Sequence, residues 1–230
     1  CKVNPIIIHG GGPMINNALN KWGIDFNFVD GKRVTDKKAV KIVEMVLSGD
    51  LNKNIVSSIN NQGGSGVGIS GKEASLVICE KDNPELGYVW KTIHINTKLI
   101  TTLVENDFIP VISPIGTNEE GETFNINADT MAGTIASALK ADRLLLLTDV
   151  SGVKDKSGNK IEKASTEAIK KLIKENVIKD GMIPKVNTAI DSIEKGVRAV
   201  VILDGSIQNA CLLELFTDHG VGTLIRKELN

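Results

Sequence analysis

The sequence has few of the residues that build disulfide-rich, metal-binding or membrane proteins. Its 230 residues include three cysteines and three histidines, and these lie far apart with no paired spacing. That pattern disfavours a disulfide framework and a zinc site, and it suits a reducing compartment. No apolar run approaches the length of a membrane span, and the net charge of −1 provides no basic surface for a nucleic acid. We expect a cytoplasmic protein (plastid stroma in a photosynthetic eukaryote) with no membrane or nucleic-acid partner.

The stretch 6–13, Ile-Ile-Ile-His-Gly-Gly-Gly-Pro, predicts a strand, a glycine turn and the start of a helix. Three β-branched residues are typical of a short buried strand, and proline favours the first helical turn. Ile15, Leu19 and Trp22 then recur at helical spacing. Three glycines let backbone N–H groups converge on an anion at the positive end of the helix. The alternative is a tight turn that needs glycine only for its shape, but one glycine would serve that purpose.

Beyond this turn, strands and helices alternate almost throughout, which predicts an α/β fold: a three-layer αβα sandwich with a mostly parallel, open central sheet. Thr35 is expected to cap the first of the further helices and Gly49 to close it. A soft boundary near Ala141 divides the chain into lobes 1–141 and 142–230. The patterns predict helices at 35–48, 51–60, 97–106, 128–139, 165–175, 184–196 and 207–216, strands at 76–79, 88–95, 108–112, 144–147, 200–203 and 222–225, and polar turns at 117–122 and 155–159.

Residues 66–72 match the beginning of a P-loop, but the match fails on chemistry. The next residue is Glu73, where a P-loop needs serine or threonine to hold magnesium. A P-loop also opens a helix, whereas 74–79 is apolar, β-branched and predicts a strand. The glycines of this stretch also fit a dinucleotide fingerprint, which fails for the same reason. We expect a glycine-permissive strand and turn packed close to a neighbour.

Three polar stretches remain as candidates for chemistry. Arg33, in a basic turn, offers a planar fork suited to a carboxylate, although an exposed arginine in a turn is usually only solvated. Asn125 and Asn127 alternate, so their side chains point the same way, and Asp129 follows at a helix start, where its alternative role is a helix cap. Lys185 also lies at a helix start, where the dipole disfavours a cation, so a phosphate would compensate.

Together these stretches resemble the amino-acid kinase family and, within it, the acetylglutamate kinases. The resemblance covers essentially all 230 residues. The Arg33 turn and the Lys185 segment are specific to that branch, while the glycine turn and the loop after 147 are shared more widely. The motifs, in the family's order and approximate spacing, are HGGGP at 9–13, GKRVT at 31–35, NINAD at 125–129, LTDVSGV at 147–153 and DGMIPKV at 180–186.

The resemblance implies ATP-dependent phosphorylation of the γ-carboxylate of N-acetyl-L-glutamate, in arginine biosynthesis, with Mg²⁺ arriving on ATP. Such a carboxylate titrates near ~4.3 and is ionised at neutral pH, so no general base is needed. The reaction needs positioning and neutralisation of charge. By this resemblance, the substrate is bound by the backbone N–H groups of Gly11 and Gly12, by Arg33 on the α-carboxylate, and by Asn125 with Asn127. Lys185 is implied to neutralise the phosphoryl oxygens, and Asp129 to hold the catalytic lysines. The implied nucleotide ligands are Asp149, Val150, Ser151, Gly152, Val153, Lys154, Val177, Ile178 and Lys179.

One departure from the family concerns the beginning of the chain. The family begins with a strand that carries a catalytic lysine, and neither Lys2 nor any other residue before His9 matches it. We therefore expect an N-terminal strand and helix to be missing. The segment 212–223 resembles the arginine-inhibited branch of the family, so L-arginine is a candidate effector. We expect the protein to assemble as a homo-oligomer, either a dimer or a hexamer. The alternatives are a related kinase for uridylate, aspartate, glutamate or carbamate, and a non-catalytic ligand-binding subunit.

Overall fold

The computed structural model describes residues 3–29, 32–33, 35–81, 90–217 and 220–229. The chain divides into two compact units, one ending at Met131 and the other beginning at Ala132. This division falls inside a helix, about ten residues before the predicted boundary near Ala141. Within the described residues, none of the helices combines the length and the apolar character needed to cross a membrane.

The described residues of the first unit form nine strands, helices α1 to α4 and the beginning of α5. A π-helical stretch, Met45–Leu51 (the π segment), joins α2 to α3, and a 3₁₀ turn occupies Glu73–Ser75. The strands are β1 (Ile7–Ile8), β2 (Phe28–Val29), β3 (Lys32–Arg33), β4 (Gly66–Ser70), β5 (Val77–Lys81), β6 (Trp90–Ile95), β7 (Ile109–Ser113), β8 (Ile115–Thr117) and β9 (Thr123–Asn125), and the helices are α1 (Gly12–Lys21), α2 (Lys37–Glu44), α3 (Asn52–Asn61), α4 (Lys98–Glu105) and α5 (Ala128–Ala138).

The parallel sheet of this unit has the order β1-β7-β4. Its ladder aligns Ile8 and Ile69 with Ile112 on the central strand, and both Val111 and Ile112 are fully buried. Helices α3 and α4 pack against β7. A mixed sheet of order β6-β5-β8-β9 and the antiparallel hairpin β2-β3 complete the unit. Because β1, β7 and β4 run the same way, their carboxyl ends meet at one edge, the usual ligand-binding edge of such sheets.

The helix predicted at 35–48 differs from the observed one at both ends. Asp36 is the N-cap, since its carboxylate accepts hydrogen bonds from the N–H groups of Lys38 and Ala39 at 2.8 and 2.7 Å. Thr35 instead donates its hydroxyl to the carbonyl oxygen of Arg33. Gly49 does not end a helix, because the π segment continues the helical backbone from α2 into α3 without a break.

Three apolar side chains expected on buried faces are exposed. Trp22 lies just past the last turn of α1 and is 67% exposed, while Ile15 and Leu19 on the same helix are buried as predicted. Leu147 is 50% exposed because it lies near the end of its strand, on the face opposite Leu146. Phe108 precedes β7 and is exposed, and β1 itself is only half-buried.

The second unit has one four-stranded sheet of order β10-β12-β13-β11. The β10-β12 and β11-β13 pairs are parallel and the β12-β13 pair is antiparallel. Ser165 caps α6 as predicted, and α7 begins two residues before Pro184. Its described elements are β10 (Leu144–Thr148), β11 (Lys163–Ser165), β12 (Val200–Asp204), β13 (Thr223–Arg226), α6 (Thr166–Lys174), α7 (Met182–Glu194) and α8 (Ala210–Phe216), besides most of α5. The α/β fold class is thus confirmed.

Candidate active site

The glycine turn, residues 10–12, joins the carboxyl end of β1 to the first turn of α1. Among the described residues, its three N–H groups have no protein acceptor, which leaves them available to a ligand at a helix N-terminus. A Cβ on Gly11 would lie 2.3 Å from Leu51 Cδ1 and 2.8 Å from Leu47 Cδ2, and one on Gly10 would lie 3.6 Å from Ala128 Cβ. The turn therefore lies close to both the π segment and the start of α5, and a side chain on Gly11 would have to displace the ends of Leu47 and Leu51.

Arg33 is buried, which overturns the alternative that it is a solvated surface side chain. It is 6% exposed, and its guanidinium lies 4.6 Å from the centroid of the Phe26 ring, within cation–π range. Its Nη2 donates to Asn16 Oδ1 and, at 3.5 Å, to the carbonyl oxygen of Gly12. Burial lowers the pKa of Arg33, but a guanidinium retains its proton at neutral pH. The Arg33 guanidinium therefore places a positive charge next to the glycine turn. Its neighbours Gly31 and Val34 lie outside the described residues.

The stretch 125–129 follows β9 into α5. Asn125 ends the strand and is half-buried. Asn127 Oδ1 accepts hydrogen bonds from the Thr130 N–H at 3.0 Å and from its hydroxyl at 3.3 Å. Asn127, and not Asp129, therefore caps α5, which makes the capping alternative for Asp129 wrong. Asp129 is a half-buried carboxylate in the first turn of that helix.

Three of the predicted site stretches thus meet in the first unit. Arg33 reaches the carbonyl of Gly12 directly, and a Cβ on Gly10 would lie in van der Waals contact with Ala128, next to Asp129. Sequence reasoning missed Asn16 and Phe26, which hold the guanidinium. Asn16 lies one helical turn after Gly12, so only its spacing could have pointed to it.

In the second unit, the loop 149–154 follows β10 and is anchored by a buried threonine of β13. Thr223 Oγ1 accepts a hydrogen bond from the Val153 N–H at 2.9 Å and donates to the Ile161 carbonyl at 2.6 Å. Gly152 has φ +130°, and a Cβ there would lie 2.5 Å from Thr223 Oγ1. The exposed side chains of Asp149, Val150 and Lys154 therefore stand on a loop with a fixed backbone. Sequence reasoning missed Thr223 because it lies 70 residues from Val153.

The other residues predicted for this unit lie between α6 and the first turns of α7. Ile178 is 4% exposed and belongs to the core, whereas Val177 is half-buried and Lys179 exposed. The Lys179 carbonyl accepts a hydrogen bond from the Met182 N–H at 3.2 Å, at the start of α7. Lys185, the fourth residue of α7, is half-buried near its positive end, as predicted.

Neither the P-loop-like stretch at 66–72 nor Cys79 is a candidate for catalysis. Residues 66–70 form a strand, and Lys72 is followed by the 3₁₀ turn Glu73–Ser75 and by β5, with no α-helix between them, so the exclusion of a P-loop is confirmed. Burial by itself would raise the pKa of Glu73, but hydrogen bonds from the Ser70 hydroxyl and N–H outweigh burial and lower it. Burial raises the pKa of the Cys79 thiol to about 12, so this thiol is not a nucleophile.

His9 is expected to make folding sensitive to mild acid. Its ring is 8% exposed, and burial lowers its pKa more than the hydrogen bond with the Gly10 backbone raises it. The unfolded chain therefore binds the proton first as the pH falls through about 6.5, and stability present above that value is lost below it. We expect His9→Gln to flatten the pH dependence of the free energy of unfolding between pH 7.5 and 5.5, measured by urea titration.

The matched control for this measurement is the exposed His94. His94→Gln should keep the wild-type slope. If His9→Gln keeps that slope while His94→Gln loses it, the buried ring is not the acid-sensitive group.

Comparisons with known proteins identify the family of this chain. Residues 2–204 match the model of the amino acid kinase family. The chain is 57% identical to an acetylglutamate kinase of Ruegeria pomeroyi over 98% of this chain and 79% of that protein. It is 56% identical to one of Dinoroseobacter shibae, over 98% and 78%. A solved structure, smu.665 from Streptococcus mutans, is 32% identical with a TM-score of 0.84 and covers 98% of this chain and 86% of its own. The chain belongs to the amino-acid kinase family.

Proposed function

We propose that this protein transfers the γ-phosphoryl group of ATP to the γ-carboxylate of N-acetyl-L-glutamate, giving N-acetyl-L-glutamyl 5-phosphate for arginine biosynthesis. The observation that carries the proposal is the buried guanidinium of Arg33 joined to an open glycine turn. This arrangement offers one cation for a carboxylate and unpaired N–H groups for a second anion. Relatives named acetylglutamate kinase, aligned over 98% of the chain, support the same reaction.

The reaction requires the protein mainly to position the two substrates and to neutralise negative charge on the phosphoryl group. An oxygen of the ionised γ-carboxylate forms a bond to the γ-phosphorus, while the bond from that phosphorus to the β,γ-bridging oxygen breaks and ADP leaves with the electron pair. No proton has to move, because the nucleophile is already charged. Catalysis then rests on orientation and on donors aimed at the phosphoryl oxygens.

In the first unit, Arg33 binds the α-carboxylate of N-acetyl-L-glutamate. Gly11 and Gly12 donate their N–H groups to the γ-carboxylate and the phosphoryl group, and Asn125 orients the substrate. Asn127 contributes to the same pocket by shaping the start of α5, which its side chain caps. Asp129, in the first turn of that helix, contributes a negative charge to the first unit's part of the site.

In the second unit, the loop 149–154 and the stretch 177–179 bind the nucleotide. The backbone of the loop is fixed through Thr223, and this anchor leaves its exposed side chains at the end of β10. Lys185 neutralises charge on the phosphoryl oxygens. Lys185 lies near the positive end of α7, where helix N–H groups also favour an anion such as a phosphoryl group.

Several finer features belong to the same proposal. Mg²⁺ enters on the phosphates of ATP, to which this ion binds in kinases. The protein works in the cytoplasm (or a plastid stroma) as a homo-oligomer, a dimer or a hexamer, and L-arginine is a candidate effector. The segment 212–223 supports the effector, although Asp218 and His219 of that segment lie outside the described residues.

An assay of ADP release across acceptors tests the proposed reaction. We expect turnover with N-acetyl-L-glutamate and none with UMP, aspartate, glutamate or carbamate, and the acyl phosphate product should be trapped by hydroxylamine. Turnover with another acceptor alone would identify a different kinase of the family. The absence of ADP release with every acceptor, together with calorimetric binding of N-acetyl-L-glutamate, would identify a ligand-binding subunit.

Gly152→Ala is expected to weaken nucleotide binding. The backbone at φ +130° disfavours any side chain, and the new methyl group would lie 2.5 Å from Thr223 Oγ1 and 3.2 Å from the Thr223 backbone nitrogen. The loop must shift, so we expect KM for ATP to rise about tenfold with KM for N-acetyl-L-glutamate unchanged. Gly158→Ala is the control, because Gly158 has φ +82° but no atom within 4 Å of the new methyl group. Equal effects of the two substitutions would show that backbone strain, and not the contact with Thr223, sets nucleotide affinity.

A further inference from the structure

Beneath the glycine turn lies a buried polar network centred on Asn52, the first residue of α3. The Asn52 side chain is 1% exposed. Its Nδ2 lies 2.9 Å from the Val111 carbonyl oxygen, 3.4 Å from that of Ile69 and 3.3 Å from His9 Nε2. One amide group thus touches the strands β7 and β4 and the residue that follows β1.

The backbone of β4 makes room for this amide. A Cβ on Gly68 would lie 2.0 Å from Asn52 Oδ1, so no larger residue fits there while Asn52 keeps its place. Lys53 Nζ donates to the same Oδ1 at 3.2 Å and to the Gly68 carbonyl at 3.1 Å. Gly68, the second glycine of the sequence match to a dinucleotide fingerprint, therefore serves this network.

His9 connects the network to the glycine turn. Its Nδ1 lies 3.0 Å from the Gly10 carbonyl oxygen. A neutral ring with its proton on Nδ1 satisfies both contacts, because Nδ1–H donates to Gly10 while Nε2 accepts from Asn52. The burial that lowers the pKa of His9 favours this neutral form.

The link from His9 to catalysis is the planarity of one peptide bond. The carbonyl of Gly10 and the N–H of Gly11 belong to the same trans peptide unit, so they point in opposite directions. A hydrogen bond that fixes the Gly10 carbonyl therefore also fixes the direction of the Gly11 N–H. Three adjacent glycines have no side chains to hold this direction by packing.

We propose that Asn52 is a positioning residue, which acts through His9 to aim the Gly11 N–H at the transferred phosphoryl group. The inference rests on the proposed function, since it assigns the N–H its task in phosphoryl transfer. A donor aimed at the developing charge contributes mainly to kcat, and a displacement of about 1 Å costs roughly 10²-fold. The network thus acts on the chemical step and not on the affinity for ATP.

The test compares Asn52→Ala with Asn60→Ala in the same full chain. Asn60 is the matched control, because it lies in the same helix and its Oδ1 accepts a hydrogen bond from the Gly66 N–H of the same strand β4 at 2.7 Å. We expect Asn52→Ala to lower kcat about 10- to 100-fold with KM for ATP within about twofold of wild type. Asn60→Ala should leave both constants unchanged. His9→Phe keeps the ring volume without nitrogen and should lower kcat similarly, with little further loss in the double variant.

A second readout does not depend on activity. In ¹⁵N-glycine-labelled protein, Asn52→Ala and His9→Phe should shift the Gly11 amide resonance while Asn60→Ala leaves it in place. An unshifted resonance and a wild-type kcat in folded Asn52→Ala would overturn the proposal. If the wild type phosphorylates no N-acetyl-L-glutamate, the proposed function fails, and the resonance then decides by itself whether Asn52 orients the turn.

Discussion

Lys185→Ala is expected to lower kcat about 10²- to 10³-fold, the usual loss when one donor is removed from a developing negative charge. The side chain is half-buried in the fourth position of α7, where the helix dipole opposes a cation. A phosphoryl group beside this lysine would offset that cost during the reaction. Because Lys185 is proposed to meet the phosphoryl group while it is being transferred, the loss should appear in kcat more than in KM.

Lys195→Ala is the matched control for this result. Lys195 is the exposed C-cap of the same helix, so its removal changes the net charge equally without touching the first turns. Lys185→Arg should recover only part of the activity, because a planar fork does not replace a compact ammonium group. Equal kcat values for Lys185→Ala and Lys195→Ala would remove Lys185 from the phosphoryl-transfer step.

The glycine turn and the helix starts were predictable because each depends on local sequence. Three β-branched residues, three glycines and a proline dictate strand, turn and helix over only eight residues. The cap at Ser165 follows from the same kind of local signal. The Asp36 cap was missed because Thr35, one residue earlier, is also a favoured cap by residue type, and the hydrogen bond of its hydroxyl to the Arg33 carbonyl is visible only in the structure.

The supports of the site were not predictable, since each depends on contacts between distant residues. Asn52 meets Val111 across 59 positions, and Thr223 meets Val153 across 70. The neighbouring sequence of an asparagine in a helix, or of a threonine in a strand, does not indicate such a role. Their functions follow from burial, because a buried polar group must find its partners.

The continuity of α2, the π segment and α3 illustrates the same limit. A glycine at 49 after an apolar face normally predicts a helix end. Here Leu47 and Leu51 continue the apolar surface and pack where Gly11 approaches, so burial outweighs the local preference. Helical stretches of this π type often lie at functional sites, and this one contacts the glycine turn.

Arg33→Ala is expected to raise KM for N-acetyl-L-glutamate about 10- to 150-fold, which corresponds to the loss of a charge-assisted hydrogen bond of about 1.5–3 kcal/mol. The guanidinium is held by the Phe26 ring and Asn16, which leaves it little freedom to lose when the substrate binds. KM for ATP should stay within about twofold of wild type, because the proposed nucleotide ligands lie in the second unit. Calorimetry with each ligand measures the two affinities separately.

The same substitution also removes a buried side chain, so its effect on affinity must be separated from its effect on folding. Arg198→Ala is the control, since Arg198 is exposed and forms only a surface ion pair with Asp142 at 3.3 Å. Such pairs contribute about 0–1 kcal/mol. Arg33→Ala should lower the midpoint of thermal unfolding, and saturating N-acetyl-L-glutamate should raise the wild-type midpoint more than that of the variant, because a ligand stabilises only the state that binds it. If Arg33→Ala weakens ATP and N-acetyl-L-glutamate equally, its guanidinium supports the fold of the unit and does not bind the α-carboxylate.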